Sequence, residues 1–342
     1  MGVQLWSSIA IAIVSLAIVG CGAPRGAWEI GTVAGAHFRL QVPTSWNRSL
    51  IVAAGGYSPA PFTFERGQSP GPFAEALVRQ GYAYAETGYS AGGVAIAEGV
   101  ADVHALRADF IERYGVPEHT LIVGESKGGL IALLIAESPA AGFDGAMAIS
   151  GLLSAPHAFF GRAFELLSAF QDRFPAVLPS PVRVPDAYVA DERTLTAVVK
   201  ALAANTDSAA ALRSQAGVRS NEELAELLAF HTEALRDLQR RCGGNAFGSA
   251  LVVDSAAERC VRNLPGPTGA LRVPVVAVDT AYDPVTPSWS VERYLALLDR
   301  TGKRNSFVRE IVQTEGHLNV SVDDRLRAFR RLVEWVTKGH RP

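Results

Sequence analysis

The chain has 342 residues, of which 48% are hydrophobic and 19% charged, and its formal net charge is −2. This is the composition of a globular protein long enough for one large core with an insertion, not of a disordered chain. The near-neutral charge, with no basic run, internal repeat or low-complexity tract, argues against a nucleic acid or other polyanion as partner.

Residues 1–20 read as a targeting segment. Ile9 to Gly20 is apolar apart from Ser15. The run falls short of a membrane-spanning helix and has the length of a signal-peptide core. It leads into Ile18-Val19-Gly20-Cys21, which resembles a bacterial lipobox. That resemblance implies cleavage after Gly20, a lipid on Cys21, and a protein anchored in the periplasm or at the cell surface. Gly22 carries no inner-membrane retention signal by the same resemblance. Val19 is bulkier than the pattern prefers and no Lys or Arg precedes the apolar run, so an uncleaved anchor and plain secretion stay open. With Cys21 lipidated, Cys242 and Cys260 remain as an even pair. In an oxidising compartment such a pair is expected as a disulfide, with two free thiols as the alternative.

Glu29 to Val42 reads as one or two leading strands, followed by a turn at Trp46-Asn47-Arg48. Ser49 to Ala54 is a buried strand ending in Gly55-Gly56-Tyr57. A short helix over Pro70 to Gln80, a strand over Tyr82 to Thr87 and a helix over Val100 to Tyr114 come next. Leu121 to Val123 and Gly145 to Ile149 are strands, with an apolar helical segment between them. Alternation of this kind predicts an α/β fold, with a mostly parallel sheet and helices on both faces. The pattern changes at 152–267. Helices are predicted there over Ala158 to Phe174, Glu192 to Ala204 and Asn221 to Arg241, the last with a capping box of Ser220 and Glu223. Only Leu251-Val252-Val253 looks strand-like. Such a block reads as a helical lid inserted between the core segments 29–151 and 268–338. Strands at Val273 to Val278 and Phe307 to Val312 then alternate with helices at Ser288 to Asp299 and Asp323 to Thr337.

Gly124-Glu125-Ser126-Lys127-Gly128 lies between the strand at Leu121 and the helix that follows. A Gly-x-Ser-x-Gly at a strand-to-helix junction is a nucleophile elbow, in which the glycines relieve backbone crowding and the serine oxygen stands above the sheet edge. A serine hydroxyl needs a base and a group that orients the base. Candidates follow in the order Ser, Asp, His: Asp279 and Asp283 after the strand ending at Val278, and His317 after the last strand. Each lies past the C-terminal end of a strand, where open α/β sheets bind ligands. No Cys/His cluster or His-Glu-x-x-His spacing suggests a metal, and no cofactor is implied.

With this elbow, Asp283-Pro284-Val285-Thr286-Pro287 and Gly316-His317, the chain resembles the α/β-hydrolase superfamily from about Glu29 to Lys338. The resemblance implies Ser126 as nucleophile, His317 as general base and then acid, and Asp283 as its orienting carboxylate, with Asp279 as the rival acid. It implies oxyanion donors at the backbone amides of Lys127 and Tyr57. The family often has His-Gly where this chain has Gly55-Gly56, so a loop-bracing side chain is missing; the Tyr57 ring packing into the lid interface is the other reading. The Lys127 side chain is expected to pair with Glu125 or solvent, with a cation that aids the developing oxyanion as the other reading; His157 and His231 are expected as partly exposed helical residues, with contact to substrate as the other reading. The lid's Phe159, Phe160, Phe164, Leu166, Leu167 and Phe170 line an acyl pocket or form the lid's own core. An exported serine hydrolase acting on a small-molecule or polymeric ester is the leading function, with an aminopeptidase-like serine peptidase and a non-catalytic binding lipoprotein as alternatives.

Overall fold

The computed structural model describes residues 26–139 and 142–342. The expected signal segment and the lipobox-like Cys21 lie outside them. The sheet has eight strands: β1 (Glu29–Val33), β2 (Ala36–Gln41), β3 (Ser49–Ala54), β4 (Ala83–Thr87), β5 (His119–Glu125), β6 (Gly145–Ile149), β7 (Val275–Tyr282) and β8 (Phe307–Glu315). Their order is β1-β2-β4-β3-β5-β6-β7-β8. Strands β1 and β2 pair antiparallel, as do β2 and β4; the remaining pairs are parallel.

Side-chain alternation along each strand feeds two cores, because successive residues face opposite sides of the sheet. In β3, Leu50, Val52 and Ala54 enter one core while Ile51 and Ala53 enter the other. The first core holds α2 (Ile96–Tyr114), α3 (Lys127–Glu137) and α9 (Ser288–Thr301). The second holds α1 (Pro72–Arg79) and α10 (Val322–Lys338). Burial of both faces explains why the central strands read as apolar runs instead of alternating with polar residues.

Between β6 and β7 come α4 (Pro156–Arg173), α5 (Glu192–Ala204), α6 (Thr206–Ala216), α7 (Asn221–Cys242) and α8 (Ser255–Arg262). The Ser220–Glu223 capping box opens α7. A disulfide joins Cys242 to Cys260 across a Cα–Cα distance of 5.5 Å, tying α7 to α8. Two of these helices escape the sequence reading. Helix α6 is built mainly of small and polar residues, and starts at Asn205, whose side chain accepts from the Ser208 amide. Helix α8 is short and is capped by Asp254. Leu251 to Val253 is a turn and not a strand, with Leu251 96% exposed. Backbone bonds from Val252 and Val253 to Ser249 O close it locally, so no neighbouring strand is needed.

Candidate active site

Strand β5 ends at Glu125 and α3 begins at Lys127, leaving Ser126 in the turn at φ 53°, ψ −115°. A non-glycine residue in such a conformation costs about 1–3 kcal/mol and persists only when its surroundings dictate it. They do so here. The Ser126 amide donates to Ile149 O at 3.0 Å, and the Ser126 carbonyl accepts from Gly129 and Leu152. A Cβ at Gly124 would sit 2.0 Å from Gly128 O, and one at Gly128 2.0 Å from Ala54 O. No side chain fits at either position.

Asp283 follows β7 and His317 follows β8, so the parallel register brings both to the edge where β5 ends. His317 Nδ1 lies 2.8 Å from Asp283 Oδ2. Asp283 also accepts from the amides of Val285 and Thr286 and lies 2.7 Å from Thr286 Oγ1. Burial works against its charge, yet the His317 and Thr286 contacts hold its carboxyl below the usual range. The pair is fixed in place by Gly316 N donating to Tyr282 O at 2.8 Å and Leu318 N to Ser150 Oγ at 3.3 Å. With Nδ1 engaged, Nε2 is the ring nitrogen available for a reacting proton. Among the described residues no hydrogen bond joins Ser126 Oγ to His317; bonds of this kind often close only when substrate is bound.

Asp279 does not contact His317. Strand β7 continues through it to Tyr282, and does not end at Val278, because β8 keeps pairing as far as Glu315. The buried Asp279 carboxylate faces Arg309 of β8, Oδ2 to Nε 2.6 Å. Burial raises its pKa, and Arg309 offsets only part of that.

The loop after β3 passes over the serine: a Cβ on Gly56 would lie 3.4 Å from Ser126 Cβ and 3.9 Å from Oγ. The Tyr57 ring packs edge-on against Phe230 of α7, and its hydroxyl donates to Asp237 of the same helix. Its ring thus joins the interface with the helical block, while its amide belongs to the loop above Ser126. Among the described residues no cluster of His, Cys, Asp and Glu is placed to hold a metal ion.

No protein-family model matches the chain, and no curated protein matches it by sequence. Solved structures do match in three dimensions. A puromycin-hydrolyzing peptidase from Mycobacterium tuberculosis aligns over 91% of this chain and 39% of its own, at 12% identity and a TM-score of 0.52. Candida antarctica lipase A aligns over 90% of this chain and 74% of its own, at 12% identity and a TM-score of 0.52. Dipeptidyl peptidase 4 of Porphyromonas gingivalis aligns over 91% and 35%, at 10% identity and a TM-score of 0.50. The chain spans well under half the length of the two peptidases.

The chain has the α/β-hydrolase fold.

Within this fold, Lys127 departs from expectation. It pairs with neither Glu125 nor solvent. Glu125 is taken by Arg325, and Lys127 is 7% exposed. Its Nζ donates to Gly93 O at 3.2 Å and sits 4.4 Å from the centre of the Tyr89 ring. Burial pulls its pKa down to about 8, with Glu98 and Asp102 pulling the other way. Residue 127 starts α3 on the core side of the turn, which is why the side chain turns inward. His231 also departs: it is 7% exposed, and neither ring nitrogen has a hydrogen-bond partner. Burial lowers its pKa to about 4, so it is neutral at pH 7. His157 is exposed, as expected.

Two spaces meet at Phe159, Val285 and Thr286. The first, about 40 Å³, lies at Ser126 and Lys127 and is walled by apolar side chains including Leu130, Leu152 and Phe160. The second, about 500 Å³, is lined by polar groups including Arg162, Gln215, His231 and Asp283. Of the six apolar α4 residues singled out in the sequence, Phe159 and Phe160 line the space at Ser126; Phe164, Leu167 and Phe170 pack into the core, and Leu166 borders the larger cavity.

Proposed function

We propose that this protein is an exported serine hydrolase that cleaves carboxylic esters through an acyl-enzyme on Ser126. The observation that carries the reading is the pairing of His317 with Asp283 at the sheet edge where Ser126 is held in its strained turn. Ser126 Oγ attacks the ester carbonyl while His317 Nε2 takes its proton, and Asp283 stabilises the imidazolium. The amides of Lys127 and Tyr57 receive the developing oxyanion. The C–O bond to the alcohol breaks as His317 returns the proton to the leaving oxygen. Water, deprotonated by the same histidine, then attacks the acyl-enzyme, releases the acid and restores Ser126.

The helical block 152–267 acts as the lid that sets specificity. The space at Ser126 is of a size for an acetyl-like acyl group and the larger polar cavity for the alcohol. Export fits the Cys242–Cys260 disulfide, which belongs to an oxidising compartment, and a lipid on Cys21 would hold the protein at a membrane. Metabolic labelling with a lipid precursor tests the anchor; unlabelled wild type, against an unlabelled Cys21→Ser control, would remove it.

The deciding experiment is hydrolysis of p-nitrophenyl esters from acetyl to palmitoyl by protein starting at Gly22. Serine-dependent turnover, abolished in Ser126→Ala and highest for the short esters, is expected. Turnover of a peptide amide panel with no ester turnover would make it a peptidase. Failure of a fluorophosphonate to label Ser126 would favour a binding protein on a hydrolase fold.

A further inference from the structure

The loop that carries the Tyr57 amide lacks a bracing histidine, yet it is tied down from below. The Tyr89 hydroxyl donates to Gly55 O at 2.7 Å, and the Gly93 amide donates to Ser58 O at 2.7 Å. These two bonds pin the loop on either side of Gly56 and Tyr57. Both anchor residues converge on one side chain: the Lys127 ammonium donates to Gly93 O and lies under the Tyr89 ring. Tyr89 is 2% exposed and has φ 64°, a conformation bulky residues avoid. Its amide is held there by Thr87 Oγ1 at 3.1 Å, and Asp102 holds the next residue through Ser90 N and Oγ. The strained turn delivers a hydroxyl to one strut and a π face to the cation.

We propose that Lys127 is a positioning residue: its buried ammonium ties the Tyr89–Gly93 turn to the Gly55–Ser58 loop and so holds the Tyr57 amide opposite Lys127's own amide. The inference rests on the oxyanion reading proposed above. One residue thereby serves both halves of the hole, one through its backbone and the other through its side chain. An uncharged side chain of similar length would be cheaper to bury, so the charge at Lys127 is not there as a source of stability.

The charge state gives the proposal a signature. Glu98 and Asp102 on α2 and Asp237 and Arg241 on α7 are the charged groups that face Lys127, with the Tyr89 phenol beside it. The ammonium loses its proton near pH 8, below the value of about 10.5 for an unfolded lysine. Between those values the unfolded chain binds more protons, so stability gained from Lys127 rises with pH. Positioning is lost over the same range. Activity and stability therefore move in opposite directions above pH 8.

The test compares wild type with Lys127→Met and Tyr89→Phe, using p-nitrophenyl acetate turnover, thermal unfolding and amide hydrogen exchange of Gly93, whose N–H donates to Ser58 O. Removal of one oxyanion donor costs about 10²–10³ in kcat, so loosening one is expected to cost about 10- to 100-fold with KM within about twofold. The double variant should lose little more than the worse single one, because both act on one circuit. Wild-type kcat should fall above pH 8, whereas Lys127→Met should be flat there. Exchange at Gly93 should quicken about tenfold or more in both variants, as the bond to Ser58 O opens. If both folded variants keep kcat within about twofold and exchange is unchanged, the brace does not exist. Exchange is read without turnover: quickened exchange in both variants beside an inactive wild type would keep the brace and remove only the hydrolase reading.

Discussion

Replacing Asp283 by Asn keeps the size of the side chain and removes the acceptor that orients His317. The oxygen 2.8 Å from Nδ1 belongs to a carboxylate held in place by two backbone amides and Thr286. In the Asp283→Asn variant those amides bind the remaining oxygen, which leaves the NH₂ group facing Nδ1. Nδ1 must then accept, the ring proton moves to Nε2, and the histidine meets Ser126 as a donor instead of a base. An Asp-to-Asn change of this kind costs about 10⁴ in kcat in a serine triad. At about 1.36 kcal/mol per tenfold change, that is roughly 5.5 kcal/mol. The assay is p-nitrophenyl acetate hydrolysis at pH 7, with thermal unfolding to confirm the fold. Asp279→Asn is the matched control. It removes the negative charge that faces Arg309 Nε at 2.6 Å, so it should lower stability by about 1–3 kcal/mol and leave kcat within about threefold. An inactive, folded Asp279→Asn beside an active Asp283→Asn would refute the assignment.

Three further outcomes are expected. Phe160→Leu, which opens the wall of the space at Ser126, should shift the preferred p-nitrophenyl ester from acetyl towards butyryl, read as a change in the ratio of kcat/KM values. Reducing Cys242–Cys260 opens a loop of 18 residues, and on the chain-entropy model lowers stability by about 3 kcal/mol, measured by denaturant unfolding with and without reductant. His231 titrates near 4 when folded and near 6.5 when unfolded, so between these values the unfolded chain binds more protons and stability falls as pH is lowered. The contribution reaches about 3 kcal/mol, and His231→Phe should flatten that part of the stability–pH curve.

Much of the scaffold could be read along the chain. The glycines at 124 and 128 betray the elbow because only a residue without Cβ fits under Gly128 O and Ala54 O. Ser49 to Ala54 reads as a buried strand because both its faces are covered. The capping box at Ser220 is a contact three residues long, and so is visible in sequence. The missed helices α6 and α8 lack that kind of signal: small residues in one and short length in the other leave no apolar periodicity.

The sequence by itself determined the alternating scaffold, the turn at Ser126 and the order in which serine, acids and histidine follow, because apolar runs, the glycines at 124 and 128 and the order of residue types are written along the chain itself. Tertiary structure alone decided which aspartate meets His317. Strand β8 extends the pairing of β7 past Asp279, gives Arg309 to that residue and leaves Asp283 free at the edge. It also decided the environments of Lys127 and His231. A charge or imidazole is exposed or buried according to what packs over it, and here the covering groups, Tyr89 and Gly93 for one and Phe159 and Phe230 for the other, come at least in part from distant stretches of the chain.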